Sequence, residues 1–125
     1  MKINFDGATF NDINKASLGV VIWDDFGHVL ASLSEQIQLL FSSDLVEAMA
    51  VARALSFAVE LGFSRFILEG DSELIIKALQ SKEDSLAPFG HTLAAAKTII
   101  DVNYVSFSHI CRLGNDVAHN LAKHA

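Results

Sequence analysis

The chain has 125 residues, of which 51% are hydrophobic, a net charge of −6 and one cysteine, Cys111. This length suits one domain with its own core, and a single cysteine excludes an internal disulfide and a cysteine-based zinc site. The negative net charge argues against a protein that binds nucleic acid through a general surplus of Lys and Arg. Divalent cations held by carboxylates could still bridge the protein to phosphate.

Three strands are predicted in the first third of the chain. Residues 3–10 alternate apolar and polar side chains, which is typical of a strand. A second strand is predicted from Leu18 to Trp23 and a third from Val29 to about Ile37, joined by a hairpin turn in which Asp24 and Asp25 are turn formers. These strands form an antiparallel meander.

Asp6 is an unusual residue inside the first predicted strand. Aspartate fits poorly in strands, and a half-buried carboxylate needs a cation or a hydrogen-bond donor. Gly7 and Ala8 leave space beside it, which would let a ligand approach closely, while a plain β-bulge at Gly7 explains the glycine equally well. Asp6 is therefore a candidate site residue.

A long helix is predicted from about Asp44 to Leu61, with Gly62 closing it. Glu47 heads a face that is otherwise apolar. Two explanations stay open: Asp44 caps the helix and Glu47 reaches back to it in a capping box, or Glu47 leans toward other acidic residues. The remaining members of that apolar face are Val51, Ala54, Leu55 and Ala58.

Residues 66–72, FILEGDS, combine an apolar strand with an acidic end. The β-forming run predicts a strand covered on both faces, and Gly70 ends it directly before Asp71. Ligands collect at the carboxyl edge of open α/β sheets, so Asp71 is a candidate site residue. The alternative is that Asp71 only caps the next helix, Glu73 to about Gln80. The buried side of that helix is predicted to be Leu74, Ile75, Ala78 and Leu79.

The last third is predicted to hold a third helix, a fifth strand and a final helix. Pro88 suits the first turn of the third helix, which follows a polar loop. Residues 104–110 alternate as a strand that ends near His109. Asn115 is predicted to cap the final helix, and His119 lies one turn later. The inward side of this helix is predicted to be Val117, Ala118, Leu121 and Ala122.

This order of elements, with acidic residues on the first strand, the first helix and the fourth strand, resembles the ribonuclease H fold. Four motifs carry the resemblance: FDGA, EAMAVARAL, FILEGDS and HICRLGNDVAHNLA. The chain is similar to the reverse-transcriptase-like ribonuclease H domains of plants over nearly its whole length. The resemblance implies one α/β domain over residues 1–125, with a five-stranded mixed sheet, the three-stranded meander plus two strands, flanked by helices.

The resemblance also implies an activity, which is endonucleolytic hydrolysis of the RNA strand of RNA/DNA hybrids by two divalent ions. Those ions are normally Mg²⁺, with Mn²⁺ as the other candidate. Asp6 and Asp71 would hold the pair, and Glu47 would complete one coordination shell. The resemblance implies that the backbone around Gly7 and Ala8, with Glu47 and Ser72, meets ribose 2′-hydroxyls, and that Asn115 also contacts the substrate.

His119 departs from the family's best-known members. It falls where the fourth carboxylate is usual, so the implied metal-binding and catalytic set is Asp6, Glu47, Asp71 and His119. Imidazole is a poorer ligand for Mg²⁺, although it could coordinate Mn²⁺ or move protons. His109 matches the family's mobile catalytic histidine, with a surface histidine at a strand end as the alternative.

A second departure concerns the basic handle that some family members use to hold the hybrid. Residues 81–101 contain only Lys82 and Lys97 as basic residues. Binding by this domain alone is therefore expected to be weak and salt-sensitive, with a tethered or partner domain supplying affinity.

Two functions follow from these features. The first is an active hybrid ribonuclease, and the alternative is a weakly active or non-catalytic nucleic-acid-binding module of the same fold. The chain shows no secretion signal and no apolar run of membrane-spanning length, so we expect an intracellular protein, nuclear or cytoplasmic, with no membrane contact.

Overall fold

The computed structural model describes residues 1–10, 15–37, 43–81 and 90–124, apart from the side chains of Arg112 and Leu113. Within these ranges the chain forms five strands and four helices. They are β1 (Lys2–Phe10), β2 (Lys15–Trp23), β3 (Val29–Ile37), α1 (Ser43–Glu60), β4 (Arg65–Gly70), α2 (Glu73–Gln80), α3 (Gly90–Val102), β5 (Tyr104–His109) and α4 (Asp116–Lys123), with a short 3-10 turn, Arg112–Asn115, before α4.

The five strands form one mixed sheet in the order β3-β2-β1-β4-β5. The pairs β1–β2 and β2–β3 are antiparallel, which confirms the predicted meander. The pairs β1–β4 and β4–β5 are parallel. The predicted α/β fold with a five-stranded mixed sheet is confirmed, and β1 is its central strand.

The two faces of β1 differ in chemistry because successive side chains of a strand point to opposite faces. Ile3 and Phe5 are fully buried in the apolar core. α1 packs on this face, where a Cβ added to Gly7 would lie 2.6 Å from Val46 Cγ1. Asn4 and Asp6 lie on the other face, which α4 covers. The polar residues of β1 therefore meet α4.

α4 lies very close to the sheet at Gly19, which pairs with Asp6 across β1 and β2. A Cβ at Gly19 would collide with Ala118 O and would lie 2.5 Å from Ala122 N. Both alanines are fully buried. Small residues on both sides thus let the helix backbone approach β2.

Several burial predictions are wrong. Ile67 is 42% exposed, so β4 is not covered on both faces. On α2, Leu74 is 51% exposed, and Ile76 is buried in the core instead. On α4, Val117 is 44% exposed because the buried side of this helix is formed by its alanines. Cys111 is exposed.

The C-terminal end of α1 agrees with the prediction. Gly62 has φ +85°, as expected of the residue that closes α1. The predicted loop over residues 81–87 and the role of Pro88 lie outside the described residues, except for Ser81. Among the described helices, none combines the length and the apolar character that crossing a membrane requires.

Candidate active site

Three carboxylates from distant parts of the chain meet at one edge of the sheet. β1 and β4 are parallel neighbours, so Asp6 within β1 and Asp71 just after β4 lie near the same edge. Glu47 reaches this edge from near the start of α1. One ligand atom from each residue lies within 4.8 Å of the others. The structure therefore brings together the three acidic residues that the sequence singled out.

Asp6 is the most buried member of the set, with 0% exposure. Its Oδ2 atom lies 2.6 Å from Nδ1 of His119. Its Oδ1 atom has no hydrogen-bond donor among the described residues. His119 thus contacts Asp6 directly, and its role as a metal ligand stays a prediction.

Glu47 points toward β1. Its Oε1 atom accepts a hydrogen bond of 3.0 Å from the backbone N–H of Gly7, and Oε2 lacks a donor among the residues described. Asp44 lies inside α1, which begins at Ser43. The capping-box explanation of Glu47 is therefore wrong, because neither of its oxygens turns back to the helix start.

The protonation of Glu47 reflects this environment. Burial raises the pKa of Glu47 to about 10, and the negative charge of the nearby Asp6 acts in the same direction. The hydrogen bond from Gly7 opposes this increase, and the charge of Asp71 adds to it. Glu47 therefore keeps its proton at a pH where an exposed glutamate has released it.

Asp71 is not the cap of α2. That role belongs to Ser72, whose Oγ accepts a hydrogen bond of 3.4 Å from Ile75 N. The capping alternative for Asp71 is therefore wrong. His109 is exposed at the end of β5, and its Nε2 atom lies 3.2 Å from the carbonyl oxygen of Asp71. It is a surface histidine at a strand end that borders the acidic cluster, and its catalytic role stays a prediction.

Asn115 differs from the prediction in what its side chain does. It precedes α4, but its side chain makes no capping hydrogen bond and is 1% exposed. Its Nδ2 atom donates to Phe5 O at 2.8 Å, and its Oδ1 atom accepts from Asn4 at 2.9 Å. The predicted cap is wrong because β1 provides both partners. A contact between Asn115 and substrate stays a prediction.

Glu47, Asp71 and His119 line a cleft of about 430 Å³, and Asp6 is buried beside it. Gly7 and Ala8 line it, as expected of small residues beside Asp6. Lys123 lies four residues after His119 on α4, and this spacing along a helix could have identified it from the sequence. The lining residues that the sequence analysis missed are Thr9, Phe10, Ser43 and Lys123.

The donor set suits a hard divalent cation. Mg²⁺ and Mn²⁺ prefer carboxylate oxygens, and the buried oxygens Asp6 Oδ1 and Glu47 Oε2 lack donors among the described residues. Like charges held this close also favour either a proton or a cation between them. The residues present therefore fit a divalent ion.

Comparisons with known proteins agree with the fold. A family model described as reverse transcriptase-like matches residues 4–125. RNase H1 from the halophilic archaeon Halobacterium salinarum NRC-1 is 28% identical with a TM-score of 0.90, over 99% of this chain and 95% of that chain. LC11-RNase H1, isolated from compost by a metagenomic approach and solved in complex with an RNA/DNA hybrid, is 27% identical with a TM-score of 0.88, over 99% and 94%.

A more distant structure shows the same fold. The N-terminal RNase H domain of rv2228c from Mycobacterium tuberculosis is 22% identical with a TM-score of 0.87, over 99% of this chain and 91% of that one. The comparison with curated proteins found no match. Because the family model covers nearly every residue, the chain belongs to the reverse transcriptase-like family, and its fold is that of ribonuclease H.

Proposed function

We propose that this chain is a metal-dependent endoribonuclease that hydrolyses the RNA strand of RNA/DNA hybrids. The observation that carries the proposal is the convergence of Asp6, Glu47 and Asp71, whose ligand atoms lie within 4.8 Å of one another. Structural carboxylates are normally paired with cations or spread over the surface, whereas these converge beside an open cleft.

The site would hold two divalent ions, Mg²⁺ or Mn²⁺, through Asp6, Glu47, Asp71 and His119. Bound there, the ions would activate the attacking water and stabilise the leaving oxygen of the phosphodiester. The protein's own part is to hold the carboxylates in place. The N–H of Gly7 fixes Glu47, and the imidazole of His119 fixes Asp6.

The substrate class is supported by the relatives. LC11-RNase H1 was crystallised with an RNA/DNA hybrid and aligns over 99% of this chain. The cleft next to Asp6 is lined by Gly7 and Ala8, whose small side chains leave the backbone accessible to a substrate. A ribose 2′-hydroxyl that reaches this backbone would distinguish the RNA strand from the DNA strand.

One observation favours the alternative of a weakly active or non-catalytic binding module. His119 occupies Oδ2 of Asp6 at 2.6 Å, and an imidazole contributes no negative charge to hold a cation. The two functions make opposite predictions for one assay.

The assay follows a labelled RNA strand in an RNA/DNA hybrid, first with Mg²⁺ and then with Mn²⁺. We expect cleavage of the RNA strand, and a loss of at least about 10²-fold in Asp71→Asn, the scale for removing one group that stabilises developing charge. Asp25→Asn is the matched control, because this carboxylate is 83% exposed in the β2–β3 turn.

Duplex DNA and duplex RNA serve as substrate controls. A wild-type protein that cleaves nothing with either ion, and so equals Asp71→Asn, would reject the nuclease function. Cleavage of duplex DNA at the rate of the hybrid would contradict the proposed substrate.

A further inference from the structure

A buried polar cluster lies beside the acidic residues on the face of the sheet that α4 covers. It consists of Asn4, Trp23, Glu69 and Asn115, and we call it the Asn4 cluster. Asn4, Glu69 and Asn115 are 4%, 8% and 1% exposed, respectively. Burying polar groups is unfavourable unless each finds a partner, so this cluster needs an explanation.

Asn4 is the centre of the cluster and uses its whole amide. Its Nδ2 atom donates to Glu69 Oε1 and to Asn115 Oδ1, each at 2.9 Å. Its Oδ1 atom accepts from Trp23 Nε1 at 3.0 Å. One side chain of β1 therefore connects β2, β4 and the start of α4.

Asn115 completes the connection and makes no capping hydrogen bond to α4. The residue stands at the N-cap position of α4, where an asparagine usually bonds to the first free N–H groups of the helix. It makes no such bond and donates instead to Phe5 O at 2.8 Å. Both polar groups of the side chain thus tie α4 to β1.

The spacing along the two elements explains what this tie achieves. Asn4 and Asp6 are two residues apart on one face of β1, a distance of about 6.8 Å along a strand. Asn115, at the N-cap position of α4, and His119 are four residues apart, about one helical turn or 6 Å along a helix. The two distances nearly match, so the contact of Asn4 with Asn115 sets α4 in the register that brings His119 to Asp6.

We propose that Asn4 is a positioning residue for the acidic site, which acts through Asn115 to place His119 against Asp6. The effect of Asn4 on catalysis rests on the proposed nuclease function. The placement of His119 is a property of the fold and can be measured without substrate.

Two substitutions cut the connection at opposite ends. Asn115→Ser removes both contacts to β1, because a serine side chain is too short for them, yet serine is a favourable N-cap residue that should keep α4 helical. Asn4→Thr keeps a strand-forming residue and removes the amide that bonds to Trp23, Glu69 and Asn115.

Ser34→Ala is the matched control. Ser34 Oγ donates to Leu121 O at 2.6 Å, so the substitution removes a bond between the sheet and the far end of α4. It does not touch the Asn4 cluster or the acidic residues.

The readout is the ring nitrogen signals of His119 in protein labelled with ¹⁵N-histidine, recorded at one pH with EDTA present. Asp6→Ala gives the signals of His119 without its partner. We expect the signals in Asn115→Ser and in Asn4→Thr to move to those of Asp6→Ala, and those in Ser34→Ala to stay at the wild-type position.

Wild-type His119 signals in a folded Asn4→Thr protein, or in a folded Asn115→Ser protein, would overturn the proposal. Because Asn115→Ser also loses the bond to Phe5 O, an Asn4 variant is needed, and Asn4→Ser takes the place of Asn4→Thr if that protein does not fold. Signals that move equally in Ser34→Ala would overturn it too, because any loosening of α4 would then have the same effect.

Hybrid cleavage gives a second, separate readout. A displacement of about 1 Å at a catalytic group can cost about 10²-fold in rate, so we expect kcat of Asn115→Ser to fall on this scale with KM little changed. A wild-type protein without activity would contradict the proposed function and leave the spectroscopic test of Asn4 intact.

Discussion

At the scale of single residues, Glu47 shows that the fold places a carboxyl group where its charged form is unfavourable. The side chain is 9% exposed and lies beside Asp6, and its pKa is raised to about 10, first by burial and then by Asp6. In the metal-free protein Glu47 therefore keeps a proton at a pH where the unfolded chain has released it.

This difference predicts a pH dependence of stability. The folded-state pKa of Glu47 lies above the unfolded value of 4.5. The contribution of Glu47 to folding stability is therefore fully present below pH 4.5 and is lost as the pH rises toward 10. With EDTA present, the free energy of unfolding measured with urea should fall between about pH 5 and pH 9. Glu47→Gln cannot ionise and should flatten this slope.

Mg²⁺ provides the control for the same measurement. An ion that binds only the folded protein stabilises it, so added Mg²⁺ should restore stability most at the high-pH end, where the carboxylates are most easily ionised. An identical pH slope in wild type and Glu47→Gln would contradict the assigned environment of Glu47.

His119 is the second residue whose chemistry sets the properties of the site. Replacing it by aspartate adds a hard oxygen ligand and one negative charge next to Asp6. We expect His119→Asp to bind Mg²⁺ at least about 10-fold more tightly, because one added charge at contact distance exceeds the free energy of a tenfold change. Isothermal titration calorimetry measures this affinity.

The same substitution should have the opposite effect without metal. It replaces the contact of 2.6 Å between Nδ1 and Asp6 Oδ2 by a repulsion between carboxylates, so the metal-free protein should unfold at lower urea concentration. His119→Asn is the neutral control. Equal Mg²⁺ affinities of the aspartate and asparagine variants would show that charge at this position does not govern binding.

At the scale of elements, the approach of α4 to β2 decides whether His119 can reach Asp6. Gly19→Ala would place a Cβ against backbone atoms of α4, 2.5 Å from Ala122 N, and backbone cannot rotate away as a side chain can. We expect a loss of about 1–3 kcal/mol in the free energy of unfolding, the usual scale of overpacking, together with weaker hybrid cleavage.

Gly27→Ala is the comparison for this substitution. Gly27 has φ +81° in the β2–β3 turn, with no atom within 4 Å of an added Cβ. Alanine there strains the backbone and lowers stability without moving α4. If both variants lose the same amount of cleavage activity for the same loss of unfolding free energy, the position of α4 does not control the activity of the site.

The elements themselves could be predicted because periodicity and end signals act locally. The alternation in β1, the turn at Gly27 and the glycine after α1 all determine structure within a few residues. Burial of single side chains was less predictable, as Ile67, Leu74 and Val117 show. Which side of an element is covered depends on neighbours far away in sequence, so an apolar residue on an uncovered side still lies in water.

Asp6 and Glu47 could be identified from the sequence because a carboxylate is unusual in a strand or on an apolar helix face, and Asp71 because it directly follows a strand. The Asn4 cluster could not. Asn4 is an ordinary polar residue in a strand pattern, and Asn115 carries the signature of a helix cap. Only the packing of α4 on β1 shows that these two side chains bond to each other.

At the scale of the whole molecule, an acidic protein is proposed to bind an acidic substrate. The net charge of −6 repels a hybrid, so affinity depends on cations at the cleft. Lys123 is the one lysine or arginine among the described residues that line the cleft, and it is exposed. It lines the cleft together with Ser43 and residues 7–10, and this position suits a contact with a phosphate of the substrate.

Lys123→Met removes this charge and keeps much of the apolar stem of the side chain. We expect KM for the hybrid to rise with kcat little changed, because a phosphate contact holds substrate and transition state equally. The slope of log kcat/KM against log salt concentration should become shallower by about 0.9, the release of one counterion. Lys77→Met is the control, since Lys77 lies on α2 and is paired with Glu73 at 3.0 Å. An unchanged salt slope in Lys123→Met would show that the substrate passes this lysine without contact, and that bound metal ions alone offset the repulsion between protein and hybrid.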